Sequence, residues 1–274
     1  MTASTTPPDG RRFAAYRVAG GTRRGPRLLL TALGVVAILI GWQLLSLFMN
    51  RAIMASPLDT FRALVDLLGQ GSFYVQILIT LERLVVGLAI GAVLGLVLGV
   101  LAGLGPGLRS FLEPLRWVGM TIPAVIIALL AMLWFGLGNG AVIFIVAVVV
   151  VPGIYVNTVA GVLTIDRRLV EMGGVYRLSR RLLLSEVYLP GIASPVAAGL
   201  TVAAGVAVRA VVLGEVLAAT DGIGYAFSRA NSYFETPTLF AWVLVLLALM
   251  AILEFGVLRP LKRRGMRWRK GGEQ

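Results

Sequence analysis

The sequence contains no cysteine and no histidine. Their absence excludes disulfides, thiolate and imidazole metal sites, and catalysis by a Cys or His side chain. Charge is scarce as well. Asp, Glu, Lys and Arg make up 14% of the 274 residues, where a soluble domain carries about 25%. No G-x-x-x-x-G-K-[ST] phosphate loop occurs, so the chain lacks that device for holding ATP. No internal repeat or low-complexity tract stands out.

What is abundant is apolar. Hydrophobic residues make up 58% of the chain and the mean hydropathy is +0.89. They fall in blocks long enough to span a bilayer, which needs about 20 residues. Six such blocks are predicted: Leu28–Phe48, Tyr74–Leu104, Leu112–Phe135, Ala141–Leu163, Val187–Leu217 and Leu239–Leu258. The third carries Glu113 and Arg116 at its start and Pro123 in its middle, and is expected to be kinked or broken. The fold class is therefore all-α, a polytopic membrane helical bundle. In the loop after the first block, Ser56 or Asp59 is positioned to cap a short amphipathic helix, stopped by Gly69 or Gly71. Gly91, Gly95 and Gly99, four residues apart, predict close helix packing.

The net charge of +12 would suggest nucleic acid in a soluble chain. Here the positive residues flank the apolar blocks, so topology explains them and no nucleic-acid partner is expected. Basic residues crowd the segment before Leu28, the stretch between the fourth and fifth blocks, and the segment after Leu258. The positive-inside rule places all three in the cytoplasm. The organisation predicted is a basic tail over 1–27, a transmembrane domain over 28–258 and a second basic tail over 259–274. The tail before Leu28 is polar and Pro/Gly-containing, and no cleaved targeting peptide is apparent in it.

A polar stretch at 164–186 interrupts the apolar pattern. Leu169, Met172, Val175 and Tyr176 form one apolar stripe at helical spacing, and Arg167, Arg168, Glu171 and Arg181 lie mostly off it. Periodicity alone leaves two readings: a helix lying in the lipid headgroups, or a helix presented to a soluble partner.

This stretch resembles the EAA loop of binding-protein-dependent ABC importer permeases, whose pattern is E-A-A-x₃-G-x₉-I-x-L-P. Glu171 stands at its first position and Val187-Tyr188-Leu189-Pro190 at its end. Met172 and Gly173 replace the two alanines, and Arg177 replaces the loop glycine. Further stretches resemble the sulfonate, nitrate and taurine branch, in order from about Tyr74 to Lys270. They are "TIPAVIIALLAMLWFGLGNG", "VNTVAGVLTIDRRLVE", "LGEVLAATDGIGYAFSRANSYFETPTLFAWVLV" and the basic "RGMRWRK". The resemblance implies a type I importer permease of the bacterial inner membrane. It implies pairing with a second copy or a paralogue, and an extracytoplasmic binding protein that delivers solute. It also implies cytoplasmic ATP-binding subunits, which bind the ATP themselves and dock on Glu171, Met172, Gly173, Tyr176, Arg177, Leu178 and Ser179. On this reading the chain is a transport subunit and not an enzyme.

Charges inside the apolar blocks cost about 3 kcal/mol each on insertion scales and mark partners or water. Glu82, Arg83, Arg209 and Glu215 are of this kind, and a helical rise of about 1.5 Å per residue puts all four in the outer half of the membrane. Two readings stand. They neutralise one another in static pairs, with Glu82 a candidate partner for Arg209; or Arg209 lines the path and attracts an anion. Asn157 is a further path candidate. Thr158, Thr201, Trp134 and Phe135 are further candidates, and for all five residues helix–helix hydrogen bonds and an interfacial aromatic belt are the plainer account. A self-contained channel or secondary transporter is the competing functional class; it would leave 164–186 without a partner.

Overall fold

The computed structural model describes residues 24–50, 52–253 and 256. The basic tails expected over 1–27 and 259–274 lie outside them, apart from residues 24–27, which open the first helix. All regular structure among the described residues is helical. The helices are α1 (Arg24–Phe48), α2 (Pro57–Leu68), α3 (Gly71–Leu104), α4 (Pro106–Thr121), α5 (Ala124–Phe135), α6 (Asn139–Leu163), α7 (Arg167–Val175), α8 (Arg180–Leu183), α9 (Leu189–Ala218), α10 (Ile223–Ser232) and α11 (Thr236–Ile252).

The core is the contact of α3, α6 and α9. Five glycines make the α3–α6 approach possible. A methyl group built on Gly87, Gly91, Gly95, Gly99 or Gly103 would sit 2.6–2.9 Å from atoms of Val146, Ala147, Ile154, Thr158 or Val162. With nothing but hydrogen on that edge, the two backbones close to a distance no side chain allows, which is how helices associate where lipid removes the hydrophobic drive. Val142, Ile145, Val146, Val150 and Ile154 of α6 then bury against Ala203, Ala207 and Val211 of α9.

A second cluster lies where α2, α10 and α11 meet the start of α3. Leu67 of α2, Phe73 of α3, Ile223 and Ala230 of α10, and Trp242 and Val245 of α11 pack together, with the Phe73 and Trp242 rings 5.4 Å apart. α2 starts as predicted: the Ser56 hydroxyl oxygen accepts from the Asp59 amide at 3.1 Å, Pro57 occupies the first turn, and Gly69 ends the helix. By contrast α1 stands at the margin. Trp42 stacks on Phe240 at 5.7 Å and donates to the Ala55 carbonyl at 3.0 Å, while most of the helix is exposed.

Two predicted spans take a different form. The third is two helices, α4 and α5, bent by 101° at Ile122–Pro123. Pro123 supplies no N–H, and Ile122 before it takes the extended conformation that a following proline enforces (ψ 125°). The fifth begins earlier than hydropathy suggests. From Arg181 to Ala218 the chain is one long helix, so Pro190 lies inside it instead of near its start. A π-helical turn at Leu184–Tyr188 widens the ladder just before that proline. α11 starts at Thr236, three residues before the sixth block.

Candidate functional site

The N-terminal half of α3, the start of α6 and the C-terminal end of α9 converge on one guanidinium. Arg83 of α3 is 2% exposed and all five of its N–H donors are used. Nε donates to Asn139 Oδ1 at 2.8 Å and Nη1 to Glu215 Oε1 at 3.0 Å. Nη1 also donates to the Asp221 carbonyl at 2.8 Å, and Nη2 to Asn139 Oδ1 and Asp221 Oδ1. Glu215, fully buried on α9, accepts further bonds from the Thr80 hydroxyl and the Gly224 amide, each at 2.9 Å. Gln76, Thr80 and Arg83 are spaced i, i+4, i+7, so one face of α3 carries the whole set. Gln76 accepts from the Gly222 amide, and the Ile223 amide donates to the Thr80 hydroxyl oxygen at 2.9 Å. Residues 219–224 are therefore tied down from both sides. Gly222 holds φ +97°, and a side chain there would run into the Glu215 carboxylate. The stretch between α9 and α10 is thus a short turn that leads straight into α10.

The other charged candidates are placed differently. Glu82 is exposed on α3, along the same face as Leu78 and Val85, while its neighbour Arg83 points into the core. Arg209 is exposed on the side of α9 turned away from Ala207, Val208, Ala210 and Val211. Neither enters an ion pair among the described residues: Arg83 takes Glu215 and Asp221, and Arg116 takes Glu113. Asn157 is half-buried, donates to the Gly153 carbonyl at 2.8 Å and packs on Gly199 of α9. Thr158 and Thr201 hydrogen-bond back to carbonyls of their own helices, at 2.8 and 2.9 Å. Trp134 and Phe135 pack on Phe144. Sequence reasoning missed Gln76, Thr80, Asn139 and Asp221. The spacing of polar residues along α3 was the available signal; Asn139 and Asp221 left none, since they meet Arg83 only through the fold.

The 164–186 stretch forms a capped helix with a defined stop. Asp166 caps α7 by accepting from the Arg168 amide at 2.9 Å. At the other end the Leu178 amide donates to Gly173 O at 2.9 Å and the Arg177 amide to Gly174 O at 3.1 Å. This is the Schellman pattern, which needs a left-handed residue after the cap. Arg177 fills that position with φ +51°. The turn that glycine makes in the resembled pattern is made here by arginine, against the strain of a Cβ in left-handed space. Leu178 and Leu183 close over Gly173, which is buried. Leu169, Met172, Val175 and Tyr176 are exposed, Val175 by 80% and Tyr176 by 73%; Glu171 and Ser179 are exposed as well. Arg177→Gly is expected to raise the thermal midpoint of the purified chain, a gain of about 0.5–1 kcal/mol, and Arg177→Val to lower it. A lower midpoint for the glycine variant would show that the arginine side chain, not the turn, is what matters.

Among the described residues no three His, Cys, Asp or Glu side chains gather as metal ligands. What the arrangement defines is a membrane-embedded helical bundle with one end locked by the Arg83 network and an apolar helix stripe left bare between α6 and α9.

Comparison with known proteins narrows that class. The family described as binding-protein-dependent transport system inner membrane component matches residues 91–259. The chain is 33% identical to the putative aliphatic sulfonates transport permease protein SsuC of Escherichia coli K12 over 237 residues, covering 86% of this chain and 89% of the relative. It is 25% identical to the taurine transport system permease protein TauC of the same strain over 250 residues, covering 88% and 90%. In structure it is similar to the MetNI methionine ABC transporter in an inward-facing conformation, with a TM-score of 0.60 at 19% identity, over 69% of this chain and 96% of that one. The chain belongs to the binding-protein-dependent transport system inner membrane component family and groups with its sulfonate- and taurine-type permeases. It is a multi-pass inner-membrane permease subunit of an ABC importer, with the type I permease fold, and a transport component, not a catalyst.

Proposed function

We propose that this chain forms the translocation path for a small polar, anionic solute delivered by an extracytoplasmic binding protein. It works beside a second copy or a paralogue, with both termini in the cytoplasm and lipid covering the bare flank of α1. ATP is bound and hydrolysed by separate subunits that dock on 164–186. The observation that carries this reading is the stripe of Leu169, Met172, Val175 and Tyr176, exposed on a capped helix between α6 and α9. An ordered helix with a bare apolar face suits a groove in a soluble partner. A channel or secondary transporter would leave it without a soluble partner.

Arg209 supports the anionic solute. It lies on the uncovered face of α9, roughly 13 Å from that helix's outer end. A guanidinium at that depth has to meet water or protein, and its planar fork suits carboxylate or sulfonate oxygens. The taurine and aliphatic sulfonate substrates named for the relatives are anions or carry an anionic group, in keeping with this reading.

The test is assembly and coupling. ATP-binding subunits of the same importer, co-expressed with this chain, are expected to co-purify with it, and Glu171→Lys is expected to detach them or to leave ATP hydrolysis uncoupled from uptake. A Glu171→Lys complex that assembles and transports like the parent would remove Glu171 from the interface. If no ATP-binding subunit co-purifies with the unaltered chain, the importer reading itself fails.

A further inference from the structure

Glu113 and Arg116 entered the sequence reading only as features that weaken the third block. In the fold Arg116, paired with Glu113, edges a cavity. Arg109, Glu113 and Arg116 are spaced i, i+4, i+7 and share one face of α4. Beneath this helix, against α3 and α6, lies a cavity of about 220 Å³. Leu98, Leu112, Leu115, Val148 and Val151 wall it, and Arg116 and Tyr155 are its polar groups.

Two observations show that these polar groups are unspent. Tyr155 is 5% exposed, and its buried hydroxyl has no hydrogen-bond partner, an exception to the rule that buried polar groups are met. Arg116 gives Nε and Nη2 to Glu113, but Nη1 faces only the Met120 thioether at 3.7 Å, a weak acceptor. The three charges on this face sum to one positive. The cavity thus joins apolar walls to a neutral donor buried behind them and a guanidinium with free donors at its edge, beside the bend of a broken span.

We infer that this cavity is a subsite of the translocation path for a small organic anion with an apolar body. The anionic oxygens meet Arg116 Nη1 and, once the α4 side chains above it part, the Tyr155 hydroxyl. The body lies along Leu98, Leu115 and Val151. The volume holds roughly seven water-sized groups, enough for an anionic head and a short chain. The inference rests on the permease reading and adds to it that the path selects for the solute's carbon body as well as its charge. The same chemistry could be offered by an anionic lipid, and the experiment separates the two.

The full chain is purified in a neutral detergent without anionic lipid, and pentanesulfonate is titrated by calorimetry. Saturable binding is expected, with methanesulfonate and 1-pentanol each at least tenfold weaker. Arg116→Gln should weaken pentanesulfonate about tenfold and Tyr155→Phe about fivefold. Leu115→Trp, which fills the cavity and removes no donor, should abolish binding while leaving the thermal midpoint close to that of the parent. Equal binding of 1-pentanol, or an affinity unchanged in all three variants, overturns the subsite. So does a co-purified anionic lipid that occupies the parent chain and is released by Arg116→Gln. These readouts need no ATP-binding subunit. A failed co-purification would therefore sink the importer reading and leave the binding result intact, and a failed titration would do the reverse.

Discussion

Arg83→Met is expected to unfold the half of the bundle that holds the Arg83 network. The substitution leaves the Glu215 carboxylate without its cation in a site that is 0% exposed, and breaking such a pair costs about 3–5 kcal/mol. The ties from Asn139 and Asp221 to α3 go with it. A thermal midpoint measured in detergent should fall steeply, and the chain should lose its single peak on size exclusion. The double variant Arg83→Met/Glu215→Met should recover part of the loss, because apolar side chains of similar volume often replace a buried pair without penalty. If Arg83→Met melts with the parent, the network does not hold that half. If the double variant is worse than either single one, the polar bonds to Thr80 and Gly224 matter more than the ion pair.

Gly91→Leu is expected to be at least as damaging, for a reason of shape. Its Cβ would lie 2.7 Å from the Ala147 carbonyl oxygen and 3.2 Å from the Ala147 Cα. Both are backbone atoms, so no rotamer change relieves the clash and α3 and α6 must separate along their length. Overpacking of a tight core typically costs about 1–3 kcal/mol and sometimes more, and here it opens the central seam. Loss of the monodisperse species is the expected readout. Gly34→Leu in α1 is the matched control, since nothing lies within 4 Å of a Cβ there. Equal tolerance at the two positions would contradict the packing described.

These two sites also show what could be read from the sequence. The glycine spacing in α3 was visible because helix packing repeats every four residues, and close packing was the stated expectation. The break at Pro123 was visible because proline acts locally. The partner of Arg83 was not: Glu215 lies 132 positions away, and hydropathy carries no information on which helices touch. The same limit left Glu82 as a candidate for Arg209, although the fold leaves both exposed and unpaired among the described residues. The 164–186 stretch was legible as a helix from its stripe, and its arginine turn was flagged by resemblance; only the backbone angle shows that the arginine adopts the strained form. The cavity under α4 left no trace in sequence, because Leu98, Arg116 and Tyr155 come from three separate helices.

The break between α4 and α5 has a consequence for the bilayer itself. The first amides of a helix and the last carbonyls of the one before it have no partner within either helix, and Pro123 brings no side-chain cap to α5. Such groups persist at membrane depth only where protein or water meets them. Where protein does not cover the bend, those groups require water. Water held there divides the hydrocarbon slab into two thinner ones. The self-energy of an ion falls with the thickness of the low-dielectric layer around it, so the bend lowers the barrier to a charged solute before any side chain binds it.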